Sequence, residues 1–390
     1  MSQLLSGRQG KALAACYFFY FAINGLLLPY LGTYFSDLGF DSFAIGQLMS
    51  VLFVTRMVAP NLWAYLADKL GHRARFIKMG AFLAALIFSA TIGTTAFFYL
   101  ALILFGYTFF WNGVLPQLEV VTLTSLGNQS HRYGTLRSFG SIGYIVVVLC
   151  AGAWFEYHGS SSFAYIGLAL FIGLACSSLW VSEPQVAVSS KASSAAFMTV
   201  LMSPAMILFL LASILLQASH GPFYTFFVLH MSQLGVGEGM AGVMVAGGVF
   251  AEIGIFAIAP RLLARFSLAN LLLFTAAITA LRWGLTGVME ANQVGQLLVQ
   301  GLHGISFGLG HACAIQYIHR SFPVADQGKA QALYASVAFG LGGAMGAWCG
   351  GLGWQDGAGA SATWFGAATA ALLALLILLL FRHCQSKPAG

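Results

Sequence analysis

Five formally charged side chains stand inside otherwise apolar stretches of this chain: Arg56, Glu119, Arg137, Glu252 and Arg282. A charge in the middle of a hydrocarbon layer costs about 3 kcal/mol or more, so such groups are expected to pair, to face a cavity and to mark a pathway. Glu119 and Arg137 are eighteen residues apart, one late in an apolar run and the other early in the next. They can pair across the short loop between. Together they offer a carboxylate acceptor beside a guanidinium fork, which suits a solute hydroxyl or a solute carboxylate equally well. With Arg56 they form the expected substrate group, in which the arginines attract the solute and Glu119 orients it.

Glu252, Arg282, His303 and His311 suit a different task. The protonation of a carboxylate follows its burial and its distance from a guanidinium, so a movement of Arg282 relative to Glu252 would load or release a proton. Histidine titrates near neutral pH with little perturbation. His303 and His311 are eight residues apart, about 80° round an ideal helix, and so flank one face. Two weaker stripes repeat at i, i+3 and i+7: Tyr17, Tyr20 and Asn24, then Gln217, His220 and Tyr224. Both are expected to line a cavity.

Other chemistries are missing. The sequence has no H-E-x-x-H, no G-x-S-x-G and no phosphate-binding loop, so catalysis has no visible machinery. Five of the six cysteines (Cys16, Cys150, Cys176, Cys313, Cys349) lie in apolar runs and Cys384 lies near the C-terminus. Without a C-x-x-C or a histidine at ligand spacing, no disulfide framework, metal or cofactor is expected.

The elements that must position these residues follow from composition. Of 390 residues, 59% are hydrophobic and 7% charged, where a soluble protein carries roughly 25% charged. The mean hydropathy is +0.84. A water-soluble enzyme is excluded, and the solvent of most of the surface is lipid. A bilayer core needs about 20 helical residues per crossing, and twelve apolar segments of that size can be read: 12–36, 43–67, 75–95, 98–125, 134–155, 162–182, 205–232, 238–264, 268–290, 293–320, 328–352 and 361–382. Their polarity does not alternate, so they read as helices rather than barrel strands.

Charge placement orients them. With both termini inside, the cytoplasmic segments hold Arg8, Lys11, Lys69, Arg73, Arg75, Lys78, Arg132, Lys191, Arg261, Arg265, Arg320, Lys329, Arg382 and Lys387, whereas the outer loops hold Asp37, Asp41, Glu156, Glu238, Glu290 and Asp356. This is the positive-inside pattern. The basic balance is therefore a topology signal and calls for no nucleic acid. The first apolar segment lacks a small-residue cleavage pattern and is expected to be a retained helix. The acceptor-like Asn128-Gln-Ser130 falls on the cytoplasmic side and is discounted as a glycosylation site.

A Pro- and Ser-rich stretch, 183–204, divides the chain into an N-terminal half, 1–182, and a C-terminal half, 205–390. Ala59-Pro60-x-Leu62-x-Ala64 returns as Ala259-Pro260-x-Leu262-x-Ala264, and Phe139-Gly140 returns as Phe339-Gly340, each 200 residues on. The repeats fall in equivalent segments of a six-plus-six arrangement, the architecture of many secondary transporters with a midplane cavity. One chain contains both halves, so a monomer suffices. Gly342, Gly346 and Gly350, four residues apart, are expected to allow close helix packing.

These features resemble the major facilitator superfamily. Ala64-Tyr-Leu-Ala-Asp68-Lys69-Leu-Gly71-His-Arg73 resembles that superfamily's G-x-x-x-D-R/K-x-G-R/K signature, with Ala in place of the first Gly. The resemblance implies a conformational latch at Asp68, Lys69, Gly71 and Arg73. Pro116-Gln-Leu-Glu119 followed by Tyr133-Gly134-x-x-Arg137-x-Phe139-Gly140-x-x-Gly143-Tyr144 is similar to the lactose permease family. There the carboxylate and arginine bind substrate hydroxyls. Departures limit the likeness: Gln300 and Ser306 stand where that family has a lysine and the proton-carrying glutamate, and the paired aspartates of span seven have no counterpart.

Closer is the resemblance to the phenylpropionate permease family, in Arg56-x-x-x-Pro60, Tyr-Gly-x-x-Arg-x-x-Gly-Ser at 133–141, Ala251-Glu252, Arg282-Trp283 and Leu302-His303-x-x-x-Phe307-x-x-x-His311. It covers nearly the whole chain. It implies an all-α integral membrane protein of a bacterial inner membrane that imports small organic molecules with a proton gradient as driving force, aromatic carboxylates being the named substrate. A sugar or nucleoside symporter is the alternative, and drug exporters share the fold.

Overall fold

The computed structural model describes residues 7–183 and 194–386. The expected linker's core, 184–193, and Lys387 lie outside the described residues. The long helices are α1 (Arg8–Asp37), α2 (Ser42–Leu70), α3 (Arg73–Ser89), α4 (Phe97–Leu126), α5 (Tyr133–His158) and α6 (Phe163–Ser178). After a short helix, Ser194–Leu201, come α7 (Pro204–Gln233), α8 (Glu238–Arg265), α9 (Leu268–Met289), α10 in three consecutive pieces (Gln293–Gly301, Gly304–Leu309, Gly310–Ser321), α11 (Val324–Gly357) and α12 (Ala360–Ser386). Ten of the described helices are long and apolar enough to cross a membrane. Two expected crossings are not among the ten. Segment 75–95 becomes the 17-residue α3, which ends in a turn at 90–93 closed by Gly93, and segment 293–320 becomes the interrupted α10.

Local signals set the helix starts. Ser203 and Ser267 accept the backbone N–H groups of Met206 and Asn270 on their side chains, each at 3.3 Å, and Pro204 stands at the first helical position of α7, as N-capping predicts. The start of α3 is capped from afar: Glu183 accepts the N–H groups of Arg73 and Ala74 at 2.9 and 2.6 Å, which suits a carboxylate at a helix N-terminus. The outward faces carry exposed Phe82, Leu86, Phe98, Leu298, Leu372 and Leu380, the surface a helix presents to lipid.

The chain forms two compact units: Met1–Phe40 with Val51–Val188, and Asp41–Ser50 with Ser189–Gly390. In the first unit, α1 packs on α5 and α6, and α3 packs on α4 and α6. In the second, α7 packs on α11 and α12, α9 on α12, and α8 on α10. The first turns of α2 belong to the second unit: Ser42 Oγ donates to Asp356 Oδ1 at 2.6 Å and Ser50 Oγ to the Ala344 carbonyl at 3.0 Å.

The α7–α11 crossing explains the glycine ladder. A Cβ at Gly342 would lie 2.6 Å from the Ile214 carbonyl oxygen, one at Gly346 would strike the Ala218 carbonyl, and one at Gly221 would strike the backbone of Gly346. Backbones cannot yield as side-chain tips do, so larger residues there must push the helices apart. Gly346→Val is expected to destabilise the second unit by about 1–3 kcal/mol, read as a lower thermal unfolding midpoint in detergent. Gly366→Ala, where a Cβ would meet nothing within 4 Å, should leave the midpoint unchanged.

Candidate functional site

Two polar groups stand out, one in each unit. In the first unit, α1, α4 and α5 bring together Tyr17, Glu119, Tyr133 and Arg137. The Tyr133 hydroxyl donates to Glu119 Oε1 at 3.1 Å, and Tyr17 donates to Thr122 Oγ1 at 3.2 Å with its ring edge-on to Tyr133. Glu119 and Arg137 share this group, but no ion pair joins them among the described residues. The guanidinium of Arg137 lies instead over the ring of Phe21, 3.8 Å from its centroid, and no hydrogen-bond acceptor engages it among the described residues. The physical reason is local. Tyr133 opens α5 and reaches the carboxylate first, while the aromatic face attracts a guanidinium without consuming its N–H donors. Gly140 makes room, since a Cβ there would lie 2.6 Å from the Phe21 ring and 2.9 Å from Arg137.

The expected stripe on α1 divides its labour. Asn24, 7% exposed, accepts Arg56 on Oδ1 at 2.7 Å, tying α1 to α2. Tyr20 stacks on Trp111 of α4 with ring centroids 4.9 Å apart. Tyr144 meets α1 through its backbone: a Cβ at Gly25 would lie 2.6 Å from the Tyr144 carbonyl oxygen.

In the second unit Arg282 is fully buried. It donates to Gln300 Oε1 through Nε (3.3 Å) and Nη2 (2.7 Å), and through Nη1 to His303 Nδ1 (2.9 Å) and Ser306 Oγ (3.2 Å). Its faces are covered by Trp283 and Phe223 at 4.2 and 4.6 Å. The other ring nitrogen of His303, Nε2, is 3.6 Å from Glu252 Oε2. Arg282 and Glu252 therefore communicate through His303. Because a guanidinium only donates, its partner Nδ1 must be an unprotonated acceptor, which assigns the imidazole proton to Nε2, the nitrogen facing Glu252.

His311 follows about two turns further along α10. The π-helical stretch Gly304–Leu309 intervenes, so the ideal 80° relation does not hold. The rings of His303 and His311 instead both stack on Phe307, with centroids 5.1 and 6.2 Å away. The α7 stripe is nearby. His220, 1% exposed, packs edge-on against Trp283 at 4.9 Å and stacks with Tyr224 at 6.1 Å, and buried Gln217 faces Gly342 of α11.

The Asp68–Arg73 motif is a compact clasp of the first unit. Gly71, at φ +71°, makes the turn that L side chains resist, and Arg73 folds back to pair with Asp68. Its other amino group, Nη1, reaches Gln117 Oε1 on α4 at 2.7 Å. Lys69 is exposed beside it.

Sequence reasoning missed Tyr133 and Phe21 as partners of Glu119 and Arg137, and Gln300, noted only as a departure, proves to be the principal acceptor of Arg282. One available signal was the spacing of Gly304 and Gly308. A Cβ at Gly304 would lie 2.6 Å from the Ala251 carbonyl oxygen and one at Gly308 3.0 Å from Glu252 Cγ, so these glycines let α8 and α10 approach closely enough for Glu252 to meet His303.

Charges buried on long apolar helices fit a multi-pass integral membrane protein, and its family and relatives make it a secondary transporter of a small molecule rather than an enzyme. A family model described as the MFS_1 like family matches residues 11–365, and the chain belongs to that family of the major facilitator superfamily. It is 27% identical over 339 residues to the probable 3-phenylpropionic acid transporter of Escherichia coli (strain K12), covering 84% of this chain and 86% of that one. It is 28% identical over 334 residues to the maltose permease of Geobacillus stearothermophilus, covering 84% and 83%. Among solved structures, the nucleoside transporter NupG superposes with a TM-score of 0.83 at 18% identity, covering 97% of this chain and 99% of that one.

Gly304→Val, which must displace α10 from α8, is expected to lower transport by about ten- to a hundredfold, as an ångström-scale misplacement of functional groups does, with the protein still present in the membrane. Gly301→Ala, where a Cβ meets nothing within 4 Å, should transport as the wild type does.

Proposed function

We propose that the protein is a proton-coupled symporter that imports a small aromatic carboxylate, of which 3-phenylpropionate is the type, by alternating access. The observation that carries the coupling is the line Arg282–His303–Glu252. Arg282 is fully buried and its direct hydrogen-bond partners are all neutral, and among the described residues its line of contacts reaches a carboxylate through His303, at Glu252. A buried charge without a counter-charge is strongly disfavoured. Protonating Glu252 removes that counter-charge, and protonating His303 on Nδ1 breaks its bond to Arg282. Proton loading is thereby tied to a rearrangement of the helices that carry these groups, which is what coupling requires.

The carboxylate preference rests on Arg137. Its N–H donors are unclaimed among the described residues, its face is parked on Phe21, and Glu119 is occupied by Tyr133. A planar guanidinium so held suits a carboxylate in two-point contact. Arg56 adds a second attraction, and Asn24, Tyr20, Tyr144, Gln217, His220 and Tyr224 are assigned to the solute's surroundings. A carboxylate entering with one proton adds no net charge to the protein. The likeness to a 3-phenylpropionic acid transporter supports this reading. A sugar or nucleoside symporter is the second reading, favoured by the acceptor Glu119 in the same group and by the likeness to a maltose permease. The clasp Asp68–Arg73, with Lys69 and Gly71, is assigned to the conformational cycle. Twelve crossings with both termini cytoplasmic, in a bacterial inner membrane and working as a monomer, complete the proposal.

In weakly buffered suspensions of de-energised cells making the protein, adding 3-phenylpropionate is expected to alkalinise the medium. In Arg137→Ala the signal should fall about thirtyfold or more, the cost of truncating a charged hydrogen-bonding partner. A response to a galactoside or a nucleoside in its place would establish the second reading, and silence with all three would turn the assignment toward export. Glu252→Gln is expected to exchange substrate across the membrane yet fail to accumulate it uphill. Intact accumulation in that variant would move the proton to the histidines.

A further inference from the structure

The first unit carries an open groove of about 510 Å³ between α1 and α5, lined by Ala14, Ala15, Phe18, Phe19 and Phe139 and, toward the N-terminal end of α1, by Lys11 and Thr135. On α1 these positions lie on the side opposite Tyr20 and Asn24, by the 100° advance per residue of a helix, so the groove is separate from the polar group described above. From Lys11 to Phe19 is eight residues, about 12 Å along the axis, close to the roughly 15 Å depth of one hydrocarbon leaflet.

Its polar end is chemically one-sided. The Lys11 ammonium is exposed and has no carboxylate partner among the described residues, and no acidic side chain lines the groove. The neighbouring cation on α1, Arg8, lies over the ring of Trp180 instead. The exposed Thr135 hydroxyl stands at the same end. A single cation and a hydroxyl above an apolar channel one leaflet deep match a phosphate joined to an acyl chain. The absence of a carboxylate leaves nothing to recognise a headgroup amine.

We propose that this groove is a binding site for an anionic glycerophospholipid, with Lys11 and Thr135 on its phosphate and one acyl chain lying along Ala14, Ala15, Phe18, Phe19 and Phe139. The inference is independent of the transported solute, since none of these residues belongs to the substrate or proton groups.

The test is native mass spectrometry of the full-length protein in detergent, titrated with phosphatidylglycerol or phosphatidylcholine of identical acyl chains. Wild type is expected to hold one phosphatidylglycerol about fivefold more tightly than phosphatidylcholine, the preference that one juxtamembrane lysine gives. Lys11→Gln should erase that preference and Lys11→Arg keep it. Ala15→Trp, which fills the groove, should lower binding of both lipids. Equal binding of the two lipids to wild type, or unchanged phosphatidylglycerol binding in both Lys11→Gln and Ala15→Trp, would overturn the proposal. An unaltered thermal unfolding midpoint in Lys11→Gln separates loss of the site from loss of the fold.

Discussion

A guanidinium fully buried among apolar helices has to be solvated by protein, and much of the second unit is organised around meeting that demand at Arg282. Gln300 supplies an oxygen to two of its donors, Ser306 and His303 take others, and Trp283 and Phe223 cover the faces. Those partners come from α7, α9 and α10, so the charge fixes how three helices meet. Gln300 is itself held: its amide lies within reach of Thr286 Oγ1 and Gln296 Oε1, and Gln296 bonds to the Thr286 carbonyl. A polar network in a low-dielectric interior is strong when each member is satisfied and costly when one is removed. This is why the residue that carries charge and the residues that hold it cannot vary independently.

Close approach is the second condition. Glu252 reaches His303 because Gly304 and Gly308 let the backbones of α8 and α10 come together, and Gly248 faces the Cβ of His303 at 3.1 Å from where its own Cβ would be. Immediately after His303 the helix widens into a π-helical stretch, and α11 does the same at Ser336–Gly342. Phe307 and Phe339, one in each stretch, pack together at 5.9 Å. Such widenings occur preferentially at functional sites, and here one of them carries Phe307, on whose ring both His303 and His311 stack.

The first unit answers the same problem differently. Its charges are spread: Arg56 is bonded to Asn24, Glu119 to Tyr133, and Arg137 is held by a ring face. A cation–π contact stabilises a guanidinium while leaving its edge available, whereas the neutral acceptors around Arg282 use most of its donors. The contrast fits the roles proposed for the two groups, one receiving a solute and the other registering a proton.

The sequence by itself determined the class of environment, most of the helices and where charge lies buried among them. Apolar runs of about twenty residues admit one reading in lipid, and charges in such runs are too costly to be incidental. Ten of the expected crossings returned as long helices, most of them extended at their ends because polar flanks continue the helical hydrogen bonding beyond the apolar core. What only the tertiary structure decided was partnership. Nothing in the spacing of Glu119 and Arg137 reveals that Tyr133 and Phe21 would come between them, nor that His303 would stand between Arg282 and Glu252, because side-chain pairing depends on which helices pack and how closely. Interruption of α10 escaped for a related reason: a π-helical turn is set by packing against a neighbour, and its residues carry the same apolar pattern as the helix around them.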